Sequence, residues 1–209
     1  MKKILYSFVL VLVLLLSSCK AYQDIWLDPK DDLNAILPNL SVATDTTNIF
    51  NVLKINKVFD SDAETLTKNF FNNNIVDYRG LPKGTIDVTI KKNYHKIYNV
   101  GYYILSSFTV YTINLLGFPM ISQKASVTVN AKIKNKEGRV IKEYTEEGIG
   151  KATAAMYWGY TFGGGLTKTA PWGLPRVVHT LALSDALQKI KSNILADSKE
   201  LNKQIYEKY

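Results

Sequence analysis

The chain is poor in the residues that most often carry chemistry. Its 209 residues include one cysteine, Cys19, and two histidines, His95 and His179. If Cys19 carries lipid, as its surroundings indicate below, no thiol remains for a disulfide, a thiolate metal site or a cysteine nucleophile. The histidines are not spaced like zinc ligands. We therefore interpret them as two unrelated surface residues and expect no metal and no other cofactor.

Arginine is also scarce, which argues against a surface built to recognise phosphate or carboxylate groups. The formal net charge is +8, yet only Arg79, Arg139 and Arg176 are arginines. Bidentate recognition of phosphate or carboxylate favours arginine, whereas dispersed lysines are typical of a solvated surface. The N-terminal segment, described next, predicts an exported and anchored protein. Such a protein rarely meets nucleic acid, so we expect no nucleic-acid partner.

The N-terminal segment predicts export and lipidation. Lys2 and Lys3 precede an apolar stretch, residues 4–16, which is too short to span a bilayer but typical of a signal peptide. The sequence Leu16-Ser17-Ser18-Cys19 resembles the lipobox of bacterial lipoproteins. That resemblance implies cleavage after Ser18 and acyl chains on Cys19 that bind the membrane. The alternative is an ordinary cleaved secretory peptide.

Two segments have the spacing of amphipathic helices. Ser61 and Glu64 form a capping-box pattern, and Asn72-Asn73-Asn74 ends the helix that would follow. Apolar residues then recur every three or four positions from Val177 to Ile194, with polar residues between them.

Strands are predicted where the apolar period changes to two. The clearest alternation is in residues 85–90, 126–134 and 139–145. The last two segments flank the turn Asn135-Lys136-Glu137-Gly138 and predict a hairpin, while residues 40–44 predict a short edge strand. These elements predict an α+β two-layer sandwich, an antiparallel sheet with amphipathic helices on one face, preceded by a signal peptide.

The predicted organisation has four parts. Residues 1–18 form the signal peptide, and residues 19–45 form the lipidated cysteine and a tether. Residues 46–196 form the α+β domain, which includes an apolar insertion at 101–119. Residues 197–209 are a polar C-terminal tail.

The insertion has three interpretations. Residues 99–123 contain no charge, and residues 102–116 are almost wholly apolar. A buried central strand fits the β-branched and aromatic content but not the length. A transmembrane helix is disfavoured by its polar residues and proline. The third interpretation is a flap or short helix outside the sheet that lies on a bilayer or covers a partner. Its candidate contacts are Leu105, Phe108, Ile113, Leu115 and Leu116.

A second candidate surface is an aromatic cluster followed by glycines. Tyr157, Trp158, Tyr160 and Phe162 stand within six residues. They form either a platform for a sugar or protein partner, or core side chains of the sheet. Nearby glycines, such as Gly148, lack the complete pattern of a nucleotide-binding loop and are interpreted as flexible or close-packing positions.

The order of these elements resembles small envelope lipoproteins of Bacteroidota. More distantly it resembles the α+β modules of secretion and outer-membrane assembly lipoproteins. The segments that carry the resemblance are 115–119, 136–141, 155–160 and 186–190. The resemblance implies an envelope role but supplies no catalytic residues.

These features predict a non-enzymatic outer-membrane lipoprotein that docks another envelope component, such as an envelope protein. Lys20 follows the cysteine, and the absence of an acidic residue there favours the outer membrane. The periplasmic face is expected, with surface exposure left open. The alternative is an envelope hydrolase acting on polysaccharide or peptidoglycan, which needs paired acids in a cleft. Asp60, Asp62 and Glu64 are instead interpreted as charges at a helix start.

Overall fold

The structure, a computed structural model, describes residues 36–47, 55–77, 79–115, 118–155 and 174–206. Cys19, the predicted signal peptide, Leu116 and the aromatic cluster at 157–162 lie outside the described residues. The elements in chain order are β1 (Ser41–Thr47), α1 (Ile55–Asn74), β2 (Gly84–Tyr98), α2 (Val100–Phe108), α3 (Thr112–Leu115), β3 (Pro119–Asn135), β4 (Val140–Ala155), α4 (Leu174–Ala196) and α5 (Ser198–Tyr206).

The four described strands form one mixed sheet in the order β1-β2-β3-β4. β2, β3 and β4 are antiparallel neighbours, whereas β1 pairs with β2 in parallel. The sequence pattern predicts a wholly antiparallel sheet, and the parallel pairing of β1 with β2 corrects that prediction. Its cause is the chain path: α1 lies between β1 and β2, and a crossover of this kind returns the chain in the same direction.

β2 continues well past the segment that the alternation predicts. Ile86, Val88 and Ile90 face the core, but the register shifts between Lys92 and Tyr94. A bulge of this kind inserts one residue and moves the following side chains to the other face. The period-two signal is interrupted there, although the strand itself runs on to Tyr98.

The core lies between the sheet and the helices α1, α4 and α5, in the predicted two-layer α+β arrangement. The buried apolar residues of β2 and β3 in this core are Ile86, Val88, Ile90, Val127, Val129, Ala131 and Ile133. The helices contribute Ala63, Phe70 and Phe71 from α1, and Leu183, Leu187, Ile190 and Ile194 from α4.

The core also includes residues that the sequence pattern assigns to the tether and to the polar C-terminal tail. Leu201 and Ile205 of α5 are buried, so the predicted polar tail contains a helix of the domain. Leu37 and Leu40 are buried at the other end, within the predicted tether. The domain therefore begins by Leu37. In both segments the few apolar residues are outnumbered by polar neighbours, and the sequence pattern therefore does not show that they are buried.

Helix α1 begins earlier than the capping box indicates. It starts at Ile55, which places Ser61 inside the helix instead of at its cap. Glu64 accepts a hydrogen bond from Thr46 Oγ1 at 3.1 Å and so links α1 to β1. The interpretation of Glu64 as a helix-start charge is therefore wrong, whereas the predicted end at Asn74 is confirmed.

Helix α4 lies unusually close to β4. A Cβ at Gly148 would lie 1.9 Å from the Ala182 carbonyl oxygen, and one at Gly150 would lie 1.9 Å from that of Val178. Only glycine allows this approach of helix backbone to strand backbone. The interpretation of Gly148 as a close-packing position is confirmed.

The outer edge of β4 is covered by side chains of α4. The Ile149 N–H donates to Asp185 Oδ2 at 3.0 Å, and Lys189 Nζ donates to the Glu147 carbonyl at 2.7 Å. These bonds occupy groups with which an added strand would pair. This part of the β4 edge is therefore a poor docking site.

Candidate functional site

The apolar insertion forms two short helices between β2 and β3. α2 covers Val100–Phe108 and α3 covers Thr112–Leu115, and neither belongs to the sheet. The buried-strand interpretation is therefore wrong. No helix among the described residues is long and apolar enough to cross a membrane. The structure matches the third interpretation, a short helix outside the sheet, while its contact with a membrane or partner stays a prediction.

Helix α2 presents an apolar stripe to solvent. Val100, Ile104 and Phe108 are spaced by four residues, which places them on one side of the helix. Their exposed fractions are 55%, 61% and 87%, and Val110 just beyond the helix is 79% exposed. Leaving such area in water is unfavourable by about 25 cal/mol per Å². We call residues 100–110 the apolar tip.

The predicted contact residues fall into three groups. Leu105 and Phe108 lie on the apolar tip and are exposed, while Ile113 in α3 is half-buried. The Leu115 side chain and all of Leu116 lie outside what the structure describes. The same holds for Cys19 and for Tyr157, Trp158, Tyr160 and Phe162.

A buried amide holds the apolar tip against the start of β3. Asn114 Nδ2 donates to Ser106 Oγ at 2.9 Å and to the Phe118 carbonyl at 3.0 Å. Asn114 and Ser106 are both fully buried. The rings of Tyr102 and Phe118 add an edge-to-face contact with centroids 5.6 Å apart. The tip is thus fixed by specific contacts on the side opposite its apolar stripe.

The backbone on both sides of α2 adopts the left-handed conformation. Asn99 has φ 56°, Val110 has φ 50° and Tyr111 has φ 59°. Asparagine tolerates this region, but a β-branched valine there is strained. The Tyr111 N–H donates to the Ser106 carbonyl at 2.7 Å, which helps to hold the reversal. Val110 is both strained and exposed. Backbone strain of this kind is typical of a functional surface.

The hydroxyl groups of the tip interact with one another. Ser107 Oγ lies 3.4 Å from Tyr111 Oη. This hydrogen bond, together with one from Tyr103, lowers the pKa of Tyr111. The hydrogen bond to Tyr111 in turn raises the pKa of Tyr103. The apolar stripe therefore has a polar rim of tyrosines.

A row of lysines crosses the sheet next to the apolar tip. Lys96 of β2 lies opposite Lys124 of β3, and Lys124 lies opposite Lys151 of β4. Directly opposite residues point to the same face, so these side chains are neighbours. Lys96 Nζ and Lys124 Nζ lie 5.5 Å and 5.7 Å from the centroid of the Tyr94 ring. We call Lys96, Lys124 and Lys151 the lysine row.

The segment that carries Lys96 and Lys124 has charges of one sign only, whereas β4, which carries Lys151, also carries Glu146 and Glu147. Between Asp87 and Glu137 the chain contains lysines but no acidic residue. No spacing along the chain predicts this row, because the bulge at Lys92 obscures the phase of β2 and because cross-strand register is a tertiary property. The absence of acids over this stretch was the available signal.

The two histidines lie together, contrary to the interpretation that they are unrelated surface residues. Their ring centroids are 5.2 Å apart, and His179 is buried. His95 Nε2 lies 2.9 Å from Gln123 Oε1, and His179 Nδ1 lies 2.6 Å from the Pro175 carbonyl oxygen. Within the described residues no three histidine, cysteine or acidic side chains are grouped as metal ligands.

Comparisons with known proteins give no family. No family model matches the chain, and no curated protein matches it. The resemblance to envelope lipoproteins of Bacteroidota therefore stays a prediction.

Two solved structures show a low similarity. A minor lipoprotein from Acinetobacter baumannii has a TM-score of 0.35 and 11% identity, covering 77% of this chain and 94% of its own. A homolog of a neuraminyllactose-binding hemagglutinin from Helicobacter pylori has a TM-score of 0.40 and 9% identity, covering 81% and 91%. Similarity of this degree says nothing about what the present chain binds.

Proposed function

We propose that the protein is a non-enzymatic lipoprotein of the outer membrane that docks another envelope component through the apolar tip. The observation that carries this proposal is the exposed stripe of Val100, Ile104 and Phe108, held outward by the buried Ser106–Asn114 contact. Specific polar contacts on one side and exposed apolar groups on the other are expected of a built docking surface.

The lipid anchor is tested separately from docking. Metabolic labelling with palmitate is expected to mark the full chain and not the Cys19→Ala variant, because the cysteine is the proposed acylation site. Equal labelling of both proteins would refute the anchor. Protease treatment of intact cells then separates a periplasmic location, which we propose, from exposure at the cell surface.

Docking is tested by crosslinking in the cell envelope. A photo-reactive amino acid is placed at Phe108 in one version of the full chain and at Leu81 in another. Both positions are 87% exposed, but Leu81 precedes β2, whereas Phe108 lies beyond its far end. We expect Phe108 to form adducts with an envelope component and Leu81 to form few. Equal yields from the two positions would contradict the proposed role of the apolar tip.

Several of the described carboxylates have structural partners, so they do not favour the hydrolase alternative. Asp87 pairs with Lys134, Asp185 with Lys189, and Asp197 with Lys142. Glu147 accepts a hydrogen bond from Ser126. These contacts account for the four acids without a catalytic role.

A further inference from the structure

We infer that the component docked by the apolar tip is the surface of an anionic phospholipid bilayer, with the lysine row at the lipid phosphates. This inference rests on the proposed docking function and specifies its partner. It is carried by the position of Lys96, Lys124 and Lys151 next to an exposed apolar helix at one end of the sheet.

The arrangement of charge favours an anionic surface over a neutral one. The cross-strand register brings the three lysines of the row side by side on one face of the sheet. Three cations side by side attract an anionic surface, because each lysine near the membrane contributes to binding.

The kind of cation also favours lipid phosphate over a protein carboxylate. All three residues of the row are lysines, which act as point charges toward a phosphate layer. A protein interface typically uses arginine forks and aromatic anchors, together with matching charges in a fixed geometry. A protein partner is therefore the less favoured occupant, and the test below distinguishes it from lipid.

The spacing between the two parts of the surface is comparable to the depth of a bilayer interface. Lys96 is four residues before Val100, so the row lies at most roughly 13 Å from the start of α2 at about 3.3 Å per strand residue. Interfacial helices bury their apolar face about 5–10 Å into the headgroup region. Tyr98 ends β2 and Tyr103 lies in α2, and tyrosine is enriched at this level of a membrane.

The tether is long enough for the tip and the proposed lipid anchor to share one bilayer. Ser41 pairs with Thr85, so the chain enters the sheet at the end opposite the tip. β2 has 15 residues and spans about 50 Å at roughly 3.3 Å per residue. Residues 20–35 reach at most about 55 Å when extended. The tether can therefore reach back from the far end of the domain to the membrane that the tip contacts.

The test measures binding of residues 20–209 to vesicles, since every core residue found in the structure lies between Leu37 and Ile205. One set of vesicles is phosphatidylcholine, and the other contains equal parts phosphatidylcholine and phosphatidylglycerol. We expect the protein to sediment with the anionic vesicles and much less with the neutral ones. Added salt is expected to reduce the sedimented fraction, because it screens the charges.

Matched variants separate the lysine row from general charge. Replacing Lys96, Lys124 and Lys151 by Gln is expected to weaken binding on the order of 100-fold, at about fivefold per lysine. The control replaces three lysines elsewhere by Gln and changes the net charge equally, and it is expected to have a small effect. These control positions are Lys68, Lys136 and Lys199. Thermal melts of both variants establish that they fold, and equal losses of binding would overturn the assignment of the row.

The outcomes also separate this inference from the proposed function. If the wild-type chain does not bind anionic vesicles and the Phe108 adducts in cells are proteins, the lipid inference is wrong and the docking function stands. If Phe108 forms no more adducts than Leu81, docking itself is wrong. Lipid adducts at Phe108 together with binding that depends on the lysine row support both.

Discussion

Tyr144 Oη donates a hydrogen bond to Asp197 Oδ2 at 2.8 Å and so joins β4 to the junction of α4 and α5. Lys142 lies 3.4 Å from the same carboxylate oxygen. The hydrogen bond from Tyr144, followed by the charge of Lys142, lowers the pKa of Asp197. Burial, followed by the nearby carboxylate, raises the pKa of Tyr144. The contact therefore favours a neutral phenol beside a charged acid.

The first prediction is that this contact stabilises the fold most between about pH 4 and about pH 10. A lowered acid pKa gives stability above the unfolded value of about 4, which is lost as pH falls. A raised phenol pKa gives stability below about 10, which is lost as pH rises. Chemical denaturation from about pH 3 to about pH 11 is expected to show that Tyr144→Phe is less stable than wild type near neutral pH. The difference should shrink at both extremes, and a constant difference would contradict the linkage.

The second prediction concerns the close approach of α4 to β4. Gly148→Ala is expected to lower the free energy of unfolding by about 3 kcal/mol or more, because the added methyl would overlap the Ala182 carbonyl oxygen. Gly101→Ala is the control, since a Cβ there meets nothing within 4 Å. It is expected to stabilise the helix by about 0.5–1 kcal/mol. Urea unfolding measures both, and similar effects would mean that α4 does not approach β4 as described.

The third prediction is that glycine relieves the backbone strain at the apolar tip. Val110→Gly is expected to raise the free energy of unfolding by about 1 kcal/mol, because glycine adopts the left-handed conformation without a clash. Val140 is also exposed but has no positive φ. Val140→Gly is therefore expected to destabilise by about 0.5–1 kcal/mol. Calorimetry tests the opposite signs, and a loss of stability in both variants would show that Val110 is not strained.

The fourth prediction is that α5 belongs to the folded domain. Leu201→Ala is expected to lower stability by about 2–5 kcal/mol, because Leu201 is buried in the core. Leu195→Ala changes a residue that is 56% exposed, and its effect is expected to stay within about 0.5 kcal/mol. Guanidinium unfolding distinguishes the two. An equally small effect at Leu201 would mean that this segment is a polar tail outside the core.

The sequence by itself determined the features that depend on local pattern. The turn at Asn135–Gly138 is one example: Asn135 Oδ1 accepts a hydrogen bond from the Arg139 N–H at 2.9 Å, and Gly138 has φ 77°. The long stripe of α4 is another, because apolar residues sustained at helical spacing from Val177 to Ile194 leave few alternatives. The charge-free stretch at residues 99–123 is a third, because its composition differs from that of the rest of the domain.

Tertiary structure decided what local pattern leaves open. Whether an apolar run such as 102–116 is buried depends on what lies against it, and the chain offers nothing to cover Phe108 among the described residues. The lysine row and the His95–His179 pair depend on register across strands and on helix placement, which no spacing along the chain encodes. The parallel β1 and the buried α5 likewise follow from how the ends of the chain return to the core, because only packing determines which short apolar segments are sheltered from water.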